Sequence, residues 1–191
     1  MSEQDWKSAA DAAMDRYARG DDGSFSELYE LLAPKLYAFL FRRLRERAHT
    51  EDILQQTFLQ MHRARRHFCE GAAVLPWAIV IARRLLIDRV RRDKRAPLMK
   101  EEELDIPEAL APDAPPDQIV ALRRLTRQVE VELGRLPEAS RVAFELIKLD
   151  GLSVAEAAEV LGTTTAAVKM RAHRAYEALR QTLGPGAWEV L

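Results

Sequence analysis

The chain holds a single cysteine among 191 residues, so no disulfide can form within it, which fits a reducing compartment. An excess of one charge sign is also lacking. The 29 Lys and Arg stand against 30 Asp and Glu, a formal net charge of -1. A near-neutral total announces neither nucleic acid nor an anionic surface, so either partner has to be argued from where the charges lie. No apolar run approaches the roughly 20 residues of a membrane span. The polar, acidic start from Met1 to Trp6 is unlike a signal peptide. These features predict a soluble cytoplasmic protein with no membrane insertion. No stretch alternates like a strand for long. A phosphate loop, a nucleophile elbow and paired catalytic carboxylates are missing too, so the chain is not expected to be an enzyme or to need a cofactor. His62, His67 and Cys69 lie close in sequence, but a zinc site wants a fourth ligand and none is placed to supply it, so no metal is expected.

What is present is helical periodicity, in a chain with 48% hydrophobic and 31% charged residues, an ordinary globular balance. Ser24-Phe-Ser-Glu27 has the form of a capping box, followed by the i, i+3, i+4, i+7 stripe Phe25, Leu28, Tyr29, Leu32. Thr50 with Glu51 and Asp52 marks a second helix start, and that helix carries Ile53, Leu54, Phe58 and Met61. Pro76 suits the first turn of a third helix reaching about Arg95. From Asp93 to Asp117 the composition changes to prolines (Pro97, Pro107, Pro112, Pro115, Pro116) among acidic residues, which predicts an extended linker, either a passive tether or a segment with its own role. Periodicity resumes at Ile119, Leu122, Leu125, Val129 and Leu133, breaks near Gly134 and Pro137, and returns from Glu138 to Leu149, where Gly151 suits a left-handed stop. The expected fold is all-α, with small helical domains at residues 1–92 and 117–191 joined by a flexible, acidic, proline-rich linker at 93–116.

The C-terminal block carries the sharpest pattern. Ser153-Val-Ala-Glu156 is a second capping box opening a short helix from Val154 to Leu161. Gly162 supplies a tight turn, and Thr163 or Thr164 caps a longer helix. A short helix, a glycine turn and a long helix make the helix-turn-helix whose second helix enters the major groove. Along that second helix Val168, Ala172, Ala175, Leu179 and Leu183 fall within an arc of roughly 80° and should face the core. Opposite lie Ala166, Lys169, Met170, His173, Arg174, Glu177 and Arg180, with Lys169, His173 and Arg174 as candidates for bases or phosphates. Arg171 sits nearer the core side and suits a carboxylate or a phosphate. The competing account is an amphipathic hairpin with a solvated basic face.

In the N-terminal block Trp77, Arg84, Arg91 and Arg95 share one helical face. An aromatic ring beside guanidinium groups is what a groove for single-stranded DNA offers, a π-face for bases and cations for phosphates. Alternatively Trp77 is a core residue and the arginines are solvated.

Phe25-Ser-Glu-Leu-Tyr29, Thr50-Glu-Asp-Ile-Leu-Gln-Gln-Thr-Phe58, and Pro76-Trp77 leading to Ile81-Ala-Arg-Arg-Leu-Leu-Ile-Asp-Arg-Val-Arg-Arg92 together resemble region 2 of the sigma-70 superfamily. Leu136-Pro137, Gly151-Leu-Ser-Val-Ala-Glu-Ala-Ala158, Ala167-Val-Lys169 and His173-Arg-Ala175 resemble region 4. The order, with no region 3 between them, resembles the extracytoplasmic-function type of RNA polymerase sigma factor. That resemblance implies a monomeric factor that binds core RNA polymerase and directs promoter-specific initiation. Asp52, Gln55, Gln56, Phe58 and Gln60 would dock on the clamp helices of the β′ subunit, with core packing as the alternative for Phe58 and the favoured role for Leu54. The loop from about His67 to Leu75 and the helix after it, with Trp77, Arg83, Arg84, Arg91 and Arg92, would melt and read the −10 element of promoter DNA by flipping a base into a pocket. Thr164, Thr165, Lys169, Met170, Arg171, His173 and Arg174 would contact the −35 element, and region 4 would touch the β flap. An anti-sigma factor is the further partner implied. The family often has asparagine where Arg84 stands, and the loop Cys69-Glu-Gly-Ala-Ala-Val74 is short of polar groups, so the family's −10 base preference does not transfer. The rival reading is a one-component helix-turn-helix regulator with an N-terminal sensing domain.

Overall fold

The structure, a computed structural model, describes the backbone of residues 3–93, 128–129 and 131–183. The chain divides into two compact units, Met1–Leu104 and Asp105–Leu191. Apart from Asp93, the expected linker at 93–116 lies outside the described residues, as does the stretch from Ile119 to Leu125.

In the first unit, helices α1 (Glu3–Ala18), α2 (Ser24–Leu44), α3 (Arg47–Ala64) and α4 (Val74–Asp93) are joined by short connections, with a 3-10 turn at Arg65–His67. Leu28, Leu32, Leu36 and Leu40 recur at i+4 along α2 and are fully buried, so this stripe can hold three neighbours at once. α2 packs against α1, α3 and α4. Ala10 and Ala13 on α1 and Ala78 and Ala82 on α4 are also fully buried, and their small side chains let the helix backbones approach closely. α1 was hidden in the polar start of the chain, yet it buries Trp6, Met14 and Tyr17. Lys35 sits 5.0 Å from the Trp6 ring centre, a cation–π contact.

Two expected helix starts need correction. Ser24 is the first residue of α2 rather than its cap, and Gly23 precedes it with no side-chain cap bond. The Ser24 amide already donates to the Asp21 carbonyl at 3.1 Å, and its hydroxyl donates to the same oxygen at 2.6 Å. Glu27, expected to close the box, instead pairs with Arg16 of α1. Thr50 lies inside α3, which begins at Arg47 with Glu46 as its N-cap residue. Thr50 is fully buried and its hydroxyl donates to the Glu46 carbonyl at 2.7 Å, so a residue expected as a cap is instead satisfied within the helix.

In the second unit, helices α5 (Glu138–Lys148), α6 (Val154–Leu161) and α7 (Thr165–Leu183) follow a helical stretch at 131–135. α5 and α6 both pack against α7. Val129, Leu133, Phe144, Ala175 and Leu179 form the core, with Leu136 and Tyr176 against it. α5 ends as expected. Gly151 adopts φ +68°, and the Leu152 amide returns to the Leu146 carbonyl at 2.9 Å.

Leu36 is fully buried at the centre of the first unit. Leu36→Ala should therefore cost roughly 2–5 kcal/mol in denaturant unfolding of that unit, since a methyl cannot refill the cavity. Leu59→Ala, at a side chain 47% exposed, should cost far less.

Candidate nucleic-acid interface

The turn between α6 and α7 is built from local bonds. Glu156 donates its amide to Ser153 Oγ at 3.2 Å, and Glu156 Oε2 accepts the Ser153 amide at 2.6 Å, so the second capping box forms as expected. Gly162 ends α6 in the left-handed conformation, φ +60° and ψ +42°, and the Thr163 amide donates back to the Ala158 carbonyl at 3.0 Å. Thr164, not Thr163, caps α7, because its Oγ1 accepts the Ala167 amide at 3.2 Å.

That turn directs α7 so that Val168, Ala175 and Leu179 are fully buried, while Ala172, expected to be equally buried, is only half so. Thr165, Ala166, Lys169, Met170, His173 and Arg174 are exposed on the other side, and Arg171 is half-buried, as its nearer-core position implied. Arg174 Nη2 lies 3.8 Å from Met170 Sδ, so the two side chains run together along the surface. Thr164 is exposed, but its hydroxyl oxygen already accepts the capping bond, which leaves chiefly its O–H to offer a phosphate. α7 carries no acid in its first turn, so nothing there neutralises the positive end of the helix dipole.

In the first unit, the exposed face of α3 carries Asp52, Gln55 and Gln60, with Gln56 half-buried. Asp52 receives Gln56 Nε2 at 3.3 Å and lies 3.6 Å from Arg89 of α4. Phe58 departs from the expectation. It is buried, with its ring 4.7 Å from Tyr29 and edge-on to Phe25 at 6.1 Å. At 100° per residue Asp52, Gln55, Gln56 and Leu59 share an arc of about 100°, and Phe58 points about 60° beyond it toward the core. Phe58 therefore supports this face from beneath and does not form its outer surface, and Leu54 is core as favoured. The residue overlooked was Leu59, an exposed apolar side chain among polar neighbours. With Tyr17, Tyr29, Phe58 and His62 it borders a shallow hollow of about 470 Å³. Tyr17 hydrogen-bonds His62 there. Burial raises the Tyr17 pKa, with the Arg65 guanidinium opposing and the Asp22 carboxylate adding to the rise.

On α4, Arg84 and Arg91 are exposed and Arg83 is half-buried. The side chain of Arg92, and Arg95 altogether, lie outside the described residues. Trp77 is neither fully core nor free, since it is half-buried with its ring 5.0 Å from Phe68. Preceding it, the loop after the 3-10 turn is tied to α1. Gly71 donates to Asp15 and Val74 to Asp11, contacts that no sequence pattern signalled because they span 56 and 63 positions. Among the described residues no group of three or more His, Cys, Asp or Glu side chains gathers as a metal site, and no helix is long and apolar enough to cross a membrane.

The family model of sigma-70 region 2 matches residues 28–96 and that of sigma-70 region 4 matches residues 126–179. The chain is 34% identical over 178 residues to the RNA polymerase sigma factor CarQ of Myxococcus xanthus, covering 93% of this chain and 99% of that protein. It is 36% identical over 174 residues to the extracytoplasmic-function sigma factor SigF of Caulobacter vibrioides, covering 90% and 92%. Its fold is similar to that of CnrH, solved in complex with the cytosolic domain of CnrY (TM-score 0.65, 23% identity, 92% and 97% covered). The sigma factor RpoE of Bartonella quintana, solved with the anti-sigma factor NepR, is similar at TM-score 0.65 and 21% identity, covering 83% and 96%. These matches place the chain among bacterial transcription initiation factors. The chain belongs to the extracytoplasmic-function group of the sigma-70 family of RNA polymerase sigma factors. The rival regulator reading is not favoured, because region 2 occupies the place where a sensing domain was required.

Gly162 has open space around an added Cβ, so a side chain there meets only backbone strain. Gly162→Ala should lower the stability of the second unit by about 1 kcal/mol, and Gly162→Asn by less, as read by thermal unfolding.

Proposed function

We propose that this sigma factor divides its work between the faces described above. The exposed side of α7, with Thr165, Lys169, Met170, His173 and Arg174, contacts the −35 element as duplex, while Thr164 and Arg171 contribute to phosphate contacts at its edge. The loop after the 3-10 turn and α4, with Trp77, Arg83, Arg84, Arg91 and Arg92, opens and reads the −10 element. Asp52, Gln55, Gln56 and Gln60, joined by Leu59, dock on the β′ clamp helices of core polymerase, with Phe58 holding that face in shape. The observation that carries the reading is the cationic, acid-free first half of α7, presented by a capped helix-turn-helix. The domain roles follow at 1–92 and 117–191, with 93–116 as linker and the β flap as a contact of the second unit.

An anti-sigma partner, action as a free monomer and a cytoplasmic site of action belong to the same proposal. Support for the anti-sigma partner comes from RpoE, which shares the fold and was solved with NepR. The exposed Leu59 and Tyr29 beside the hollow give such a partner apolar surface to cover.

Reconstitution with bacterial core polymerase on DNA upstream of the chain's own gene should yield a defined start that vanishes without the chain. Asp52→Ala and Gln55→Ala should weaken core binding. Lys169→Ala or Arg174→Ala should weaken duplex binding by roughly 5–10-fold and lower the salt slope by about one for each phosphate no longer neutralised. Tight duplex binding as a dimer, without association with core polymerase, would overturn the proposal.

A further inference from the structure

One face of α1 grips the loop that precedes α4. Asp11 and Asp15, four residues apart on α1, lie above one another along the helix, and Arg19 follows just past its end. Asp11 Oδ1 accepts the amide of Val74, the first residue of α4, at 2.8 Å. Asp15 accepts the Gly71 amide through both carboxylate oxygens, at 3.1 and 3.3 Å. Arg19 Nη1 donates to Glu70 Oε1 at 2.6 Å. Two turns of α1 and the residue just past its end thus hold positions 74, 71 and 70.

Two of these three bonds go to main-chain amides, so they set the path of the loop whatever side chains it carries. Gly71 sits at φ +76° with open space around it, a conformation the loop must be held in. Ala72 and Ala73 beside it bear no hydrogen-bonding side chain, and Glu70 is engaged by Arg19, so few polar side chains of the loop are left to line a base pocket. Recognition by this loop then leans on its shape, which the carboxylates of α1 help to fix.

We propose that α1 is the template of this loop, with Asp11 and Asp15 as positioning residues for opening and reading the −10 element. The inference rests on the −10 role proposed above. A purely structural role is separable from it, because α1 is anchored independently by Trp6, Ala10, Ala13 and Met14, all buried. Removal of the Asp15 carboxylate should therefore release the loop and leave the helix docked.

The test uses the full chain with core polymerase on its own promoter, reading core affinity and the permanganate reactivity of −10 thymines in parallel. Asp15→Ala should reduce open complexes by roughly tenfold, the scale of one charge-assisted hydrogen bond. Core affinity, carried by α3, should stay within about twofold because distant sites act independently. Asp15→Asn keeps an amide-accepting oxygen and should recover most of the opening. Normal opening by Asp15→Ala would overturn the inference, as would a parallel loss of core affinity or an Asp15→Asn no better than alanine. If the wild-type chain fails to bind core polymerase, the proposed function itself falls. If the wild type opens the promoter and Asp15→Ala does so equally, only the inference does.

Discussion

Burial of a single stripe of α2 governs the first unit. Leu28, Leu32, Leu36 and Leu40 cannot be removed from water by one neighbour, since the stripe runs over several turns and takes in Phe39 at its end. α1, α3 and α4 each cover part of it, and their orientations follow. α3 packs on α2 and buries Ile53, Thr57 and Met61, so its remaining surface presents Asp52, Gln55 and Leu59 outward. Burial of Ala78, Ile79 and Ala82 likewise leaves Arg84 and Arg91 of α4 to solvent. The exposed faces of α3 and α4 are thus what the core leaves over. A substitution in the buried stripe of α2 would disturb both without touching either.

Local chemistry was legible wherever it was self-contained. Ser153 and Glu156 form their box because Ser153 is extended, φ -65° and ψ 162°, and the turn before it closes through the Leu152 amide, leaving the Ser153 amide to Glu156. Ser24 and Glu27 carry the same pattern and fail, because the turn at Asp21 has already taken the Ser24 amide and hydroxyl, and Arg16 has taken Glu27. The motif states what is possible, and the preceding turn decides. Thr50 fails for a related reason. Three further residues upstream are good enough helix formers to extend α3, and Glu46 in extended backbone takes the N-cap position instead.

Tertiary contacts were not legible. Phe58 lies among acidic and amide residues that match a docking motif, and only the positions of Phe25 and Tyr29 show that its ring has gone inward. Asp11 and Asp15 look like solvated carboxylates on an amphipathic helix. Their partners are amides, which every residue except proline carries, so no residue type at 71 or 74 could have marked them. The basic face of α7 was legible because helical geometry alone separates it from the core. The split into exposed Lys169, His173 and Arg174 and half-buried Arg171 follows from 100° per residue.

The near-neutral total charge then acquires a meaning. Non-specific DNA affinity comes from phosphate neutralisation by summed positive charge, and a chain at -1 exerts little attraction at long range. Its cations are instead local. Lys169, Arg171, Arg174 and Arg180 on α7 face a single acid, Glu177, which already lies 3.6 Å from Arg180. The field of such a surface is felt chiefly within a Debye length, about 8 Å at physiological salt. Positive charge is thus concentrated on exposed helix faces, Lys169 and Arg174 on α7 and Arg84 and Arg91 on α4, and is balanced by acid elsewhere in the chain.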